Sequence, residues 1–238
     1  MNPNLTEIVM ILDQSGSMCP LMKDTIGGYN SFIEEQKKQP GIAHVTTFLF
    51  SNGVEKLYDQ MPLENVQPLT EKLYMPHGMT ALYDAVGFAI DSVGKRLAST
   101  PEEQRPSKVI FVITTDGEEN CSNRYTAARV KEMIEHQQSK YSWEFLFIGA
   151  GIDAYSSSSR IGIDGLHTAS YAATTDGLNN VYCSASKGVS SIRCSAGDCG
   201  GSGLAADWKC ADEEIAKAAV DALLTTATAA VVLDCDLT

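Results

Sequence analysis

The 238-residue chain is predicted to be an α/β protein. We expect a doubly wound, Rossmann-like and mostly parallel sheet with one antiparallel edge strand and helices on both faces. Continuous apolar runs alternate with amphipathic helical patterns along the chain, which is typical of parallel strands buried between two helix layers. An Asn-Gly pair between two β-rich runs predicts the antiparallel hairpin.

The first half of the chain supplies three strands and one helix. The apolar run Glu7–Leu12 predicts the first strand, and it ends abruptly at an aspartate. A helical stripe follows, with apolar residues at positions 22, 26, 29, 32 and 33, and it stops at a Gln-Pro-Gly breaker. The runs Val45–Phe50 and Val54–Tyr58 flank a Ser-Asn-Gly turn, so they are expected to be antiparallel neighbours.

The second half continues the alternation of helices and strands. After an irregular stretch from Pro62 to Pro76, an apolar stripe from Ala81 to Val93 predicts the next helix. The remaining predicted elements are, in order, a strand at Val109–Thr114, a helix at Ala127–Gln138, a strand at Trp143–Ile148, a short helix at Asp153–Ile161 and a longer helix that Thr175 caps and that contains Ile192.

These elements predict one doubly wound domain over residues 6–193 and a tail over 194–238. The tail is acidic and rich in Gly and Ala. Its residues 195–238 hold eight acidic and two basic side chains, which is a net charge of −6 and half of the −12 carried by the whole chain. Within it, Gly197–Gly203 is predicted to be a flexible linker and Asp212–Thr226 a helix.

The composition excludes several classes of function. Since 18 basic residues face 30 acidic ones, nucleic acid and anionic membranes are not expected as partners, whereas a hard cation is. The chain shows no signal-peptide pattern and no apolar run of about 18 residues, so we expect a cytoplasmic protein outside the membrane. An odd number of cysteines, seven, favours reduced thiols over a disulfide scaffold.

Three segments of the chain carry oxygen-bearing side chains that we expect at one edge of the sheet. The first strand leads into Asp13-Gln14-Ser15-Gly16-Ser17, the second helix is preceded by Gly78-Met79-Thr80, and a later apolar strand leads into Thr115-Asp116-Gly117. Ligands of open α/β sheets bind at this edge. Two carboxylates and three hydroxyls offer the oxygen-only environment that Mg²⁺ or Mn²⁺ prefers.

The segments Asp13–Ser17, Gly78–Ala85 and Thr115–Asn120 closely resemble, in order and spacing, the metal-ion-dependent adhesion site of the von Willebrand factor A domain. The resemblance covers residues 6–193. It implies that Ser15, Ser17 and Thr80 ligate a Mg²⁺ ion (or Mn²⁺ or Ca²⁺), and that Asp13 and Asp116 hold coordinated waters and supply charge. It also implies an open coordination position for a carboxylate of a partner protein.

The resemblance therefore predicts an intracellular, bacterial-type module that binds a protein partner supplying an Asp or Glu carboxylate, in an adaptor or assembly role. It does not assign an oligomeric state. The site carries no evident general base, so we expect no enzymatic activity. The alternative is a metal-dependent phosphoryl or ester hydrolase at the same site, for which Cys19, His77 and Glu118 are the nearby candidate groups.

Two weaker patterns suggest other sites. Gly149–Ala154 fits the G-x-G-x-x-A form of a dinucleotide-binding turn, although a tight turn with close packing explains the same residues. Cys19 and Cys121 follow two of the three metal-site segments, where a thiol switch and ordinary, partly buried cysteines are both compatible with the sequence.

Overall fold

The computed structural model describes residues 1–150, 153–171 and 175–195, together with Leu204 and Trp208. The strands are β1 (Asn2–Asp13), β2 (Ile42–Phe50), β3 (Val54–Pro62), β4 (Pro106–Thr115), β5 (Glu144–Ala150) and β6 (Thr168–Tyr171). The helices are α1 (Met22–Lys37), α2 (Leu82–Ser99), α3 (Ala127–Tyr141), α4 (Asp153–Arg160) and α5 (Thr175–Cys194). Every strand and helix predicted within residues 6–193 is present, and β6 is an addition.

The six strands form one sheet in the order β3-β2-β1-β4-β5-β6. All neighbouring strands are parallel except β2 and β3, which pair as an antiparallel hairpin with β3 at the edge. The predicted α/β class, with a mostly parallel sheet and one antiparallel edge strand, is confirmed. Because β1 and β4 are parallel neighbours at the centre, the loops that follow them leave the same edge of the sheet side by side.

Helices cover both faces of the sheet, as predicted. Alternate residues of β1 point to opposite sides, so that Ile8 and Met10 join α1 and α5 in one core. Val9 and Ile11 join α2, α3 and α4 in the other. Both cores are built from buried side chains, which explains why the central strands carry continuous apolar runs, Ile8–Leu12 in β1 and Val109–Ile113 in β4, rather than an apolar residue at every second position.

The edge strand β6 was not predicted. Its four residues, Thr168–Tyr171, include three side chains that carry a hydroxyl and one Ala and do not form an apolar run, although all four are buried. The strand pairs in parallel with the end of β5. Its burial comes from tertiary packing and not from local hydrophobicity, so the pattern of apolar residues does not predict a strand here.

Two residues of the predicted tail lie against the domain. Trp208 is 1% exposed, and its indole N–H donates to the carbonyl of Leu166 at 3.0 Å. Leu204 packs on the same core, and both side chains lie beside Gly188 of α5. The predicted linker Gly197–Gly203 and the predicted helix Asp212–Thr226 lie outside the described residues. The domain boundary at residue 193 therefore stays a prediction. The contact between Trp208 and Leu166 joins the two sides of that boundary.

Among the described residues, no helix combines the length and the apolar character that crossing a bilayer requires.

Candidate metal centre

The first segment of the site turns sharply where β1 ends. Asp13 is the last residue of that strand and is fully buried. Its Oδ1 accepts a hydrogen bond from the backbone N–H of Ser15 at 2.7 Å, which closes the turn. Its Oδ2 accepts from the hydroxyl of Thr115, at the end of β4, at 2.6 Å. One carboxylate thus shapes its own loop and joins the two central strands.

Hydroxyls connect this loop to the second aspartate. The Oγ atoms of Ser15 and Ser17 lie 3.0 Å apart, and the Ser17 hydroxyl donates to Oδ1 of Asp116 at 2.7 Å. Ser15 is buried, whereas Ser17 is exposed. The predicted residues from the first and third segments therefore form one hydrogen-bonded chain that reaches the protein surface.

Thr80 reaches the same place from a third segment. The backbone N–H of Gly16 donates to the carbonyl of Gly78 at 3.0 Å, which brings the Thr80 segment against the first loop. A Cβ atom placed on Gly117 would lie 3.1 Å from Oγ1 of Thr80 and 3.4 Å from Oγ of Ser17. The two hydroxyls thus face a common space that a side chain at position 117 would fill. All five predicted site residues are brought together.

The β2–β3 hairpin turn holds the Thr80 segment, a role that the sequence analysis missed. Asn52 accepts a hydrogen bond from the backbone N–H of Met79 through Oδ1 at 2.5 Å. The carbonyl of Ser51 accepts from the N–H of Ala81 at 2.9 Å. Thr80 therefore lies between two residues whose backbone N–H groups are bound by the same turn.

A second unpredicted support ties the loop after β4 to the start of α2. Glu119 accepts hydrogen bonds from the backbone N–H groups of Tyr83, Cys121 and Ser122. Asp84, near the start of α2, accepts in return from three consecutive backbone N–H groups of the loop, those of residues 123–125. The bond from Tyr83 satisfies one N–H group that the start of α2 leaves without an intrahelical partner, and the other bonds satisfy N–H groups of the loop. Together these bonds fix the Asp116 loop against the helix that follows Thr80.

Burial dominates the electrostatics of the two aspartates. Loss of water raises the pKa of Asp13 to about 6, although the hydrogen bonds from Thr115 and Ser15 lower it. Burial also raises the pKa of Asp116. Two carboxylates that burial destabilises in their charged form gain from a nearby cation. A divalent ion fits this donor set, since the set is all oxygen and two carboxylates balance its charge.

Among the described residues, no group of three or more His, Cys, Asp and Glu side chains is placed to hold a metal ion. The candidate site contains only two such residues and draws its remaining ligands from hydroxyls. Its chemistry therefore suits a hard cation with several waters.

The groups predicted for a hydrolase lie around the site in different settings. The ring of His77 contacts the Ser51 hydroxyl through Nε2 at 3.2 Å and the carbonyl of Met75 through Nδ1 at 2.8 Å. Cys19 is exposed and its thiol lies 3.7 Å from the carbonyl of Pro76. Glu118 is exposed beside Asp116. Both imidazole nitrogens are thus engaged in holding the loop.

The glycine turn after β5 packs closely. A Cβ atom on Gly149 would lie 2.6 Å from the Cβ of Ala154, so this position needs a glycine for α4 to approach the strand. The cavity beside the turn, which Asp116, Asp153 and Ser157 also line, has a volume of about 60 Å³. That space is of the order of a few water molecules and favours the packing interpretation over a dinucleotide site.

Comparison with known proteins gives a structural answer and no sequence match. No protein family model and no curated protein sequence matches the chain. Proximal thread matrix protein 1 from the mussel byssus is similar in structure, with 13% identity and a TM-score of 0.52. The same mussel protein with a zinc-occupied MIDAS motif gives 16% and 0.51. Manganese-loaded TRAP protein of Plasmodium vivax gives 18% and 0.45, covering 77% of this chain and 64% of that protein.

The similarity to the mussel protein covers 76% of this chain and only 45% of the mussel protein. At such low identity it concerns the fold and not the function of the relative. The chain therefore has the fold of the von Willebrand factor A domain.

Proposed function

We propose that this chain is a divalent-metal-dependent protein-interaction module. The observation that carries the proposal is the convergence of Asp13, Ser15, Ser17, Thr80 and Asp116 at one edge of the sheet. The zinc-occupied MIDAS motif of the similar mussel protein supports a divalent ion in this type of site. Mg²⁺ is the ion that the all-oxygen donor set of this chain favours.

The five site residues would take two roles toward the ion. The hydroxyls of Ser15, Ser17 and Thr80 would hold the ion, while Asp13 and Asp116 would hold its waters and balance its charge. A bound ion would supply one open coordination position to a carboxylate. Since hydroxyls are weak, neutral ligands, the ion stays electrophilic toward an incoming Asp or Glu of a partner protein.

We further propose that binding, and not catalysis, is the function, and that the protein acts in the cytoplasm. Hydrolysis needs a general base positioned over the metal. Here His77 is engaged on both ring nitrogens, and the Cys19 thiol faces a backbone carbonyl. The strongly acidic composition, with a net charge of −12, supports a protein partner over nucleic acid.

Calorimetric titration of the full chain with Mg²⁺ and Mn²⁺ tests the metal site. We expect one binding event that Ser15→Ala/Ser17→Ala abolishes and that Asp13→Ala weakens at least tenfold, on the order of the effect of losing a group that orients metal ligands. Ser139→Ala, an exposed serine of α3, is the matched control and should bind as the wild type does. Unchanged Mg²⁺ binding by Asp13→Ala would show that the site is wrongly assigned.

A pull-down with and without EDTA tests the interaction. We expect a partner that EDTA releases and that Ser15→Ala/Ser17→Ala fails to retain. The hydrolase alternative is tested by turnover of a phosphate or ester substrate with Mg²⁺. Metal-dependent turnover that the same double variant loses would replace the interaction proposal with an enzymatic one.

A further inference from the structure

Exposed apolar side chains are concentrated beside the candidate metal centre. Three of the nine large hydrophobic residues that are exposed in the described part of the chain lie within the short segment leading to Thr80. Leu73 is 42% exposed, Met75 60% and Met79 50%. We call these three residues the apolar flank. Methionine suits a binding surface because its unbranched, polarizable side chain adapts to different partners.

Hydrogen bonds hold the backbone of the segment that carries the apolar flank, and this fixed backbone keeps the three side chains exposed. Tyr74 is fully buried and its hydroxyl donates to the carbonyl of Asp13. The N–H of His77 donates to the carbonyl of Gln14 at 2.8 Å, and the N–H of Met79 donates to Oδ1 of Asn52. Buried Tyr74 and exposed Met75 thus point in opposite directions from one fixed segment.

The opposite side of the centre is acidic. Glu118 and Asp153 are exposed and line the cavity of about 60 Å³ that also includes Asp116. We call Glu118 and Asp153 the acidic flank. The cavity lies at the ends of β4 and β5, whereas the segment that carries the apolar flank is hydrogen-bonded to the loops that follow β1 and β2. Because the strand order is β2-β1-β4-β5, the two flanks lie on opposite sides of Asp13 and Asp116.

We propose that the partner presents an acidic residue with a bulky apolar residue on one side and a basic residue on the other. This inference rests on the proposed function, since the acidic residue would bind the metal. The apolar residue packs on the flank of Met75 and Met79, and the basic residue faces Glu118 and Asp153. The basic residue also offsets the repulsion that an acidic partner segment meets from a chain of net charge −12.

Arrays of heptapeptides with a central glutamate and randomised neighbours test this arrangement. The full chain is applied with Mg²⁺ and again with EDTA. We expect Mg²⁺-dependent binding that selects an apolar residue on one side of the glutamate and Lys or Arg on the other. Peptides with these neighbours exchanged for Ser, measured by fluorescence anisotropy, should bind about tenfold more weakly, since each contact buries a modest apolar area or a partly screened charge.

Variants assign each preference to its flank. Met75→Ser/Met79→Ser should lose the apolar preference and keep the requirement for glutamate and Mg²⁺. Glu118→Gln/Asp153→Asn should lose only the basic preference. Ile42→Ser is the matched control, because Ile42 is 57% exposed at the start of β2, the end of the strand away from the site.

The outcomes separate this inference from the proposed function. Mg²⁺-dependent glutamate binding without neighbour preferences, or with preferences that the flank variants keep, overturns the inference and leaves the metal-dependent interaction standing. If the wild-type chain does not bind Mg²⁺, both this inference and the proposed function are overturned. Mg²⁺-dependent self-association that Met75→Ser/Met79→Ser abolishes, without competition by peptides, would make a second copy of this chain the occupant and overturn the partner proposed here.

Discussion

Gly78 tests how the Thr80 segment is held in place. Its φ of +73° lies in the left-handed region, and a Cβ atom there would come within 2.2 Å of Oδ1 of Asn52. That oxygen accepts the hydrogen bond from the N–H of Met79. Gly78→Ala therefore imposes backbone strain and also displaces the amide of Asn52 from its partner.

The cost follows from these two effects. Placing a non-glycine residue in the left-handed region costs about 1–2 kcal/mol, and losing one such hydrogen bond costs about 0.5–1.5 kcal/mol. We expect Gly78→Ala to lower the free energy of unfolding by about 1.5–3.5 kcal/mol. In an Asn52→Ala background the same substitution should cost only the strain, about 1–2 kcal/mol, because the displaced hydrogen bond is already absent.

Urea unfolding followed by circular dichroism measures both backgrounds, and calorimetry measures Mg²⁺ binding. Gly53→Ala is the control in the neighbouring turn, since a Cβ atom there meets no heavy atom within 4 Å. Mg²⁺ binding should weaken in Gly78→Ala, because Thr80 lies two residues further on. The reasoning fails if Gly78→Ala is as stable as the wild type, or if Gly53→Ala is destabilised equally.

Other predictions concern parts of the fold distant from the centre. Trp208→Ala should lower the free energy of unfolding by about 3–5 kcal/mol because the side chain is buried; an unchanged urea midpoint would show that Trp208 does not anchor there. Glu7→Ala should lower the free energy of unfolding by about 3 kcal/mol, since Glu7 is 1% exposed and Arg96 would lose its ion pair with Glu7 at 2.8 Å while it keeps the one with Asp59 at 3.5 Å; Arg96→Met in the same background should then cost little. The pKa of His167 is raised chiefly by its hydrogen bond with Glu144, so this contribution is complete below the unfolded pKa of about 6.5 and is lost as pH rises through the folded pKa. The stability deficit of His167→Gln should therefore shrink with rising pH, and a deficit that grows would contradict the assignment.

Sequence reasoning placed two of the site's segments on physical grounds alone. Apolar runs that end at an aspartate predict parallel strands, and the carboxyl ends of neighbouring parallel strands share one edge. In the structure β1 and β4 are such neighbours, with Leu12 beside Thr114 in the register. Thr80 follows no strand, so the strand-end argument does not place it, and its inclusion in the predicted site depends on its hydroxyl before the second helix and on the resemblance of its motif.

The hairpin between β2 and β3 was predicted correctly, but its turn differs from the one that an Asn-Gly pair favours. Neither Asn52 nor Gly53 has a positive φ, which the common two-residue hairpin turn requires. Phe50 pairs with Val54, so the turn has three residues. Asn52 uses its side chain for the Thr80 segment instead, and no local pattern reveals a contact with a residue 27 positions away.

The supports of the centre were missed for the same physical reason. Thr115, Glu119 and Asp84 are polar residues at a strand end, in a loop and at a helix start, where such residues are ordinary. Their partners are distant in the sequence. Thr115 binds Asp13, which is 102 positions away, and Glu119 binds Tyr83, which is 36 positions away. Hydroxyl ligands carry no charge and bind a cation weakly one by one, so their use depends on being held in place before the ion arrives. The centre therefore depends on these distant hydrogen bonds as much as on the motif: a chain that kept all five predicted site residues but lost Thr115 or Glu119 would keep the motif without the geometry that makes it a metal site.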